Sequence, residues 1–140
     1  MHPDAEIVFF LGDGLSDADL VASGDNARAW FAVAGNCDLS PTFKDTFTKK
    51  TDAVTLDGRR VVLTHGDLYG AKQGIGGLLS LAKKESASLV LFGHTHEPLE
   101  KYIPTDESGV YIFNPGSIGA GSYGIILLSA KGILLSHGKM

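Results

Sequence analysis

The sequence predicts an α/β fold, and three observations favour it. Short apolar runs recur along the chain and stop at polar clusters, and one segment between them has apolar residues at helical spacing. Eighteen glycines lie mostly at the ends of these runs, where tight turns need a residue without Cβ. With 140 residues, 44% hydrophobic and 20% charged, residues 1–140 are expected to form one compact domain.

The first two apolar runs, Glu6 to Leu11 and Trp30 to Ala34, are predicted to be buried strands. Each is continuous and stops at turn residues, which is typical of strands in a parallel sheet. A helix is predicted between them, over about Asp17 to Ser23, because the spacing of Ser16 and Asp19 resembles a capping box.

The middle of the chain is predicted to alternate strands and a helix. Ala53 to Leu56 and Arg60 to Thr64 flank Asp57-Gly58, a dipeptide that favours a two-residue hairpin turn. Gly74 to Glu85 has the apolar spacing of a helix with one buried face. Leu89 to Phe92 is the next predicted strand.

The last third is predicted to contain one more strand and a closing hairpin. The strand is Val110 to Phe113, and the hairpin pairs Tyr123 to Leu128 with Ile133 to Leu135. Two histidines near the termini, His2 and His137, are expected to face solvent.

Four predicted strands end in the polar motifs GDG, GNCD, HGD and GHTH. Ligands of open α/β sheets bind beyond the carboxyl ends of the strands, so side chains far apart in sequence can meet there. The residues that we expect to converge are Asp13, Asn36, His65, His94 and His96.

The chemistry of this set indicates a transition-metal site. One carboxylate, one amide oxygen and three imidazoles suit Mn, Fe, Zn, Ni or Co better than Ca or a structural cysteine-bound zinc. Asp13 is the candidate to bridge two ions about 3.5 to 4 Å apart, which could bind a phosphoryl group and activate water. Taken alone, Asp13 would be read as a turn residue and His65 as a hydrogen-bonded core histidine. The ordered set is what predicts metal chemistry.

Composition excludes several other classes of function. The net charge of −4 offers no basic stripe, so an obligate nucleic-acid partner is disfavoured. A single cysteine, Cys37, allows no intramolecular disulfide and favours the cytoplasm. The longest apolar stretches, such as Ile125 to Leu128, are too short to span a membrane. The sequence leaves open whether the chain forms a homo-oligomer.

The order GD, GNCD, LTHGD, GHTH and NPGS resembles the small single-domain calcineurin-like metallophosphoesterases, the bacterial and archaeal phosphodiesterase branch, over nearly the whole chain. The resemblance implies a four-layer α/β/β/α sandwich of two mixed sheets, a dinuclear site for Mn or a similar ion, and a small phosphodiester as substrate. It implies that Asp13 bridges the ions, with Asn36, His65 and His94 completing one site and His96 in the other. Asp13, Asn36 and His94 would then be the catalytic residues. Asn114 to Ser117 matches a family loop expected to be architectural.

The sequence departs from the family pattern in three places. Cys37 stands where larger phosphatases carry a histidine thought to protonate the leaving group, so leaving groups of low pKa should be favoured. Asp67 stands where many relatives have a second histidine, which puts in question whether this position supports the metal ligands as it does in those relatives. The family's opening strand, which ends in Asp-x-His and supplies two metal ligands, has no counterpart, so the first βα unit is predicted to be absent. We expect the natural protein to begin earlier, because loss of a central strand would expose unpaired edges; a real loss is the alternative.

The sequence supports two hypotheses about function. The first is a metal-dependent phosphodiesterase with two metals in the complete protein, of which the 140-residue chain is expected to bind at most one tightly. The second is a non-catalytic or single-metal protein-binding module, as in the retromer-subunit relatives that keep this fold.

Overall fold

The computed structural model describes residues 7–11, 29–32, 51–56, 58–66, 69–95, 97–105, 109–116, 122–129 and 132–139. These residues form strands, one α-helix and one turn of 3₁₀ helix. In chain order the elements are β1 (Ile7–Phe10), β2 (Ala29–Ala32), β3 (Thr51–Leu56), β4 (Arg59–Thr64), the 3₁₀ turn (Ala71–Gln73), α1 (Gly76–Glu85), β5 (Leu89–Leu91), β6 (Leu99–Pro104), β7 (Gly109–Asn114), β8 (Ser122–Ser129) and β9 (Gly132–Lys139).

A five-stranded mixed sheet, in the order β3-β4-β5-β7-β6, forms the centre of the fold. The three inner strands are parallel, and the two edge strands run antiparallel to their neighbours. The inner strands are almost continuously apolar because both faces of a parallel sheet are covered. The predicted β3–β4 hairpin is confirmed, and Gly58 in its turn has a positive φ of 75°.

Helix α1 covers one face of this sheet. Its buried residues Leu78, Leu81 and Ala82 pack against alternate residues of the inner strands, including Val62 and Val90. The helix ends at Glu85. Ser86 follows as the cap, and its N–H donates to the carbonyl oxygens of Ala82 and Lys83; its left-handed backbone lets the Ala87 N–H donate back to the Ala82 carbonyl oxygen at 2.9 Å. The helix begins two residues later than the sequence predicted, since Gly74 has a φ of 134°.

The opposite face of the central sheet is covered by two further pairs of strands. β1 and β2 are parallel, and β8 and β9 form an antiparallel hairpin. Side chains from both pairs pack on the other set of alternate core residues, which are Val61, Leu63, Leu89, Leu91 and Phe113. The predicted α/β fold with stacked layers of strands is confirmed. In the part of the chain described, the second layer comprises two separate pairs of strands, and the helix predicted over Asp17 to Ser23 lies outside that part.

Strand β6 was not predicted from the sequence. Its residues, LEKYIP, are mostly exposed and end in proline, a combination that is typical of a loop. The structure places β6 at the edge of the sheet, where only one side must pair and a terminal Pro104 costs no ladder hydrogen bond. Within the ranges described, no helix is long and apolar enough to cross a membrane.

Candidate metal centre

His65 lies directly after β4 and is buried, with 1% of its surface exposed. The next residue, Gly66, has a φ of 109°, and its carbonyl oxygen accepts hydrogen bonds from the N–H groups of Tyr69 (3.1 Å) and Ala71 (3.2 Å). A Cβ on Gly66 would lie 3.0 Å from the Cβ of Ala71. Glycine therefore lets the chain turn sharply immediately after the histidine.

The ring of His65 is oriented by a hydrogen bond from its Nδ1 to the carbonyl oxygen of Leu11, at 2.6 Å. A carbonyl oxygen can only accept, so Nδ1 carries the proton and Nε2 of the neutral ring keeps its lone pair. Leu11 follows β1 and directly precedes the sequence Gly12-Asp13-Gly14. The bond thus ties the end of β1 to the end of β4.

The other ring nitrogen of His65, Nε2, faces a second imidazole. His65 Nε2 lies 3.1 Å from His94 Nδ1, and the two ring planes meet at 67° with centroids 4.9 Å apart. Without a metal, a proton between the two rings lies on His94 Nδ1, because Nε2 of the neutral His65 ring can only accept. A metal bound to both nitrogens would replace that proton, and His94 would then carry its proton on Nε2. Zinc and similar ions bind imidazole nitrogen at about 2.0 to 2.1 Å, so one ion can bind both nitrogens in adjacent coordination positions. The pair therefore fits a divalent metal.

His94 has a strained backbone. Its φ is 64°, in a region that few residues other than glycine adopt, and Thr95 N–H donates to the carbonyl oxygen of Gly93 at 2.7 Å across it. A hydrogen bond from residue i+2 to residue i with positive φ between them marks the rare, strained γ-turn. Such a conformation costs about 1 to 3 kcal/mol and persists where surrounding contacts enforce it, which is common at functional sites.

The other predicted ligands, Asp13, Asn36 and His96, lie outside the described residues, as do Cys37 and Asp67. The structure shows that His65 and His94 lie together. Convergence of all five ligands in one cleft stays a prediction. Within the described ranges, no three His, Cys, Asp or Glu side chains lie together in a group that could hold a metal.

Sequence reasoning missed the role of His137, a residue of β9 that was expected to face solvent. The residue is exposed, but its ring stacks on Phe113, with centroids 4.7 Å apart and planes at 25°. Its Nε2 also donates to the carbonyl oxygen of Asn114 at 2.7 Å. The available signal was strand alternation, since His137 shares the inward face of β9 with Ile133 and Leu135.

Comparison with known proteins decides the family. The sequence model of the calcineurin-like phosphoesterase superfamily domain matches residues 1–131. The chain belongs to this superfamily. Two bacterial members are each 30% identical to it: a probable metallophosphoesterase of Bacillus subtilis, YsnB, over 115 residues, and the phosphodiesterase YfcE of Escherichia coli K12, over 95 residues. The matches cover 82% and 66% of this chain, and they span 62% of the length of YsnB and 46% of the length of YfcE.

Solved structures support the same fold. Vps29 from Entamoeba histolytica, 16% identical, superposes with TM-scores of 0.72 for a double mutant and 0.65 for a complex with Zn²⁺. The matches cover 99% and 96% of this chain and 84% and 82% of the Vps29 chains. The phosphoesterase fold predicted from the strand-end motifs is thereby confirmed.

Proposed function

We propose that this chain forms the metal-binding part of a phosphodiesterase that uses divalent ions to hydrolyse a small phosphodiester. One observation carries the proposal. The proton of His65 is held on Nδ1 by Leu11, and the remaining Nε2 lies 3.1 Å from Nδ1 of His94. A histidine that donates one ring N–H to a backbone carbonyl and presents the other nitrogen is the usual arrangement of a metal ligand.

The residues proposed to hold the metals are those expected from the sequence. One ion would be held by His65 Nε2 and by His94 Nδ1 in its deprotonated form, together with Asn36 and Asp13. Asp13 and His96 would hold the second ion. Bound ions supply Lewis-acid stabilisation of phosphoryl charge and an activated water, and manganese is the proposed native metal. The protein's own contribution is orientation: the Leu11 carbonyl fixes the ring of His65, and the γ-turn fixes His94.

Substrate class follows from charge and from the residue at position 37. A chain of net charge −4 has no general affinity for polyanions, so the proposed substrate is a small diester held by the ions. Cys37 replaces the histidine that could protonate a leaving group, which favours diesters whose leaving groups have a low pKa. YfcE carries the name phosphodiesterase, which supports this choice. A cytoplasmic location, inferred from the single cysteine, stays a prediction.

A protein-binding role is the second candidate, favoured by the structural similarity to Vps29. Metal binding alone does not separate the two functions, because Vps29 itself has been crystallised with Zn²⁺. Hydrolysis does separate them.

The decisive experiment is a diesterase assay with bis(4-nitrophenyl) phosphate and Mn²⁺, run on this chain and on a version extended by a strand ending in Asp-x-His. We expect slow hydrolysis by the former, faster hydrolysis by the latter, and loss of both with a chelator. The variant His94→Ala should be inactive, while Ser80→Ala, on the exposed side of α1, should match the parent. Hydrolysis that resists the chelator, or no hydrolysis by either version, would contradict the proposal.

A further inference from the structure

Asn114, the last residue of β7, is fully buried and lies next to the loop that carries His94. Its side-chain Nδ2 donates to the carbonyl oxygen of Gly93 at 3.1 Å and to Oγ1 of Thr95 at 3.0 Å. These two acceptors belong to the residues on either side of His94. A single amide group therefore bridges the loop across the histidine.

The second half of the amide is also engaged. Asn114 Oδ1 accepts a hydrogen bond from Gly116 N–H at 2.9 Å, so both amide protons and the amide oxygen have partners. A carboxylate of the same shape could accept from Gly116 but could donate to neither Gly93 nor Thr95. Position 114 therefore requires an amide, because the side chain must both donate and accept hydrogen bonds; a requirement of shape alone would also admit aspartate.

The backbone of Asn114 is held from the other side by the C-terminal hairpin. His137 donates to the Asn114 carbonyl oxygen at 2.7 Å while stacking on the neighbouring Phe113. The N–H of Phe92 in turn donates to the carbonyl oxygen of Phe113 at 3.0 Å. Asn114 is therefore fixed by β9 and by the strand that leads into the His94 loop.

We propose that Asn114 is a positioning residue that holds the strained turn at His94 and so keeps His94 Nδ1 facing His65 Nε2. The strain of the γ-turn calls for an external restraint, and the two Nδ2 hydrogen bonds supply it at the two residues that flank His94. The metal-binding consequence rests on the proposed function, whereas the restraint on the turn does not.

The experiment compares four variants of the full chain. Asn114→Asp keeps the shape and the Gly116 contact but removes both donors, and Thr95→Val removes one acceptor while keeping the branched side chain. Thr95→Ser restores the hydroxyl. Thr51→Val is the matched control, because it also replaces a hydrogen-bonded threonine hydroxyl, here one that donates to Thr64 Oγ1 at 3.2 Å, away from the His94 loop.

The first readout needs no metal. Hydrogen exchange at the Thr95 N–H, which closes the turn, should accelerate about tenfold in Asn114→Asp and Thr95→Val and stay near the parent value in Thr95→Ser and Thr51→Val. Equal exchange in Thr95→Val and Thr51→Val would overturn the proposal. If Asn114→Asp does not fold, unchanged exchange in Thr95→Val still overturns the proposal, because that variant removes the hydroxyl that accepts from Asn114 Nδ2 and from Glu97 N–H.

The second readout is Mn²⁺ affinity, measured by calorimetry under conditions in which the parent and the variants have the same folded fraction. Loss of a residue that orients a ligand typically weakens metal binding about 10- to 100-fold, so this is the fall expected for Asn114→Asp and Thr95→Val, with rescue in Thr95→Ser. If exchange accelerates in Asn114→Asp and Thr95→Val but the parent chain binds no Mn²⁺, the restraint stands and the proposed function is refuted. Normal Mn²⁺ affinity in all four variants, with unchanged exchange, would refute the restraint alone.

Discussion

His65 Nε2 lies 3.1 Å from His94 Nδ1, although 29 residues of sequence separate the two histidines. The ends of β4 and β5, adjacent parallel strands, bring them together, and Gly93 N–H donates to the His65 carbonyl oxygen at 2.9 Å. The contact therefore follows from the register of the central sheet, and the orientation of His65 follows from Leu11.

The Leu11 contact predicts different costs for two substitutions of His65. His65→Ala leaves the Leu11 carbonyl without this donor in a buried place and should lower the free energy of unfolding by about 2 kcal/mol or more. An asparagine amide can reach nearly the position of Nδ1, so His65→Asn should recover about 1 kcal/mol of that loss. Urea unfolding of the metal-free chain measures both, and equal losses would show that the Leu11 bond contributes nothing.

Two adjacent glycines at the start of α1 form a matched pair. A Cβ on Gly76 would meet nothing within 4 Å, whereas a Cβ on Gly77 would clash with the carbonyl oxygen of Tyr69. Gly76→Ala should stabilise the protein by about 0.4 to 1 kcal/mol, because alanine leaves the unfolded chain less conformational freedom than glycine, and Gly77→Ala should destabilise it by about 1 to 3 kcal/mol. Thermal unfolding of the two variants checks the prediction, which fails if both shift the midpoint in the same direction.

Arg60 links β4 to the C-terminal end of α1. Its Nη2 lies 2.9 Å from Glu85 Oε1, and its Nε donates to the Glu85 carbonyl oxygen at 3.1 Å. A lysine could not make both contacts, so Arg60→Lys should lower the free energy of unfolding by about 0.5 to 1 kcal/mol, a small value because the arginine is partly exposed. Lys101→Ala, on exposed edge strand β6, serves as control. A loss of the same size in both variants would mean that the link to Glu85 has no specific effect.

The central sheet was predictable because its signals are local. Continuous apolar runs and Asp57-Gly58 predict the inner strands and the first hairpin, and these agree with the structure to within two residues. β6 was missed because an edge strand stabilised by pairing with β7 needs no apolar pattern of its own. The His65–His94 pair was foreseen from strand ends, but the Asn114 amide was not, since its role depends on a turn 20 residues away whose backbone geometry no local motif encodes.

The most direct test of the metal site is the uptake of Mn²⁺ by the purified chain, measured as metal content by plasma emission after equilibrium dialysis. The parent chain and Ser80→Ala should retain about one Mn²⁺ per chain, because four protein ligands suffice for one ion. His94→Ala and His65→Asn should retain almost none, since each removes one of the paired nitrogens. A parent chain without manganese, or His94→Ala with as much as the parent, would contradict the assignment of His65 and His94 as metal ligands.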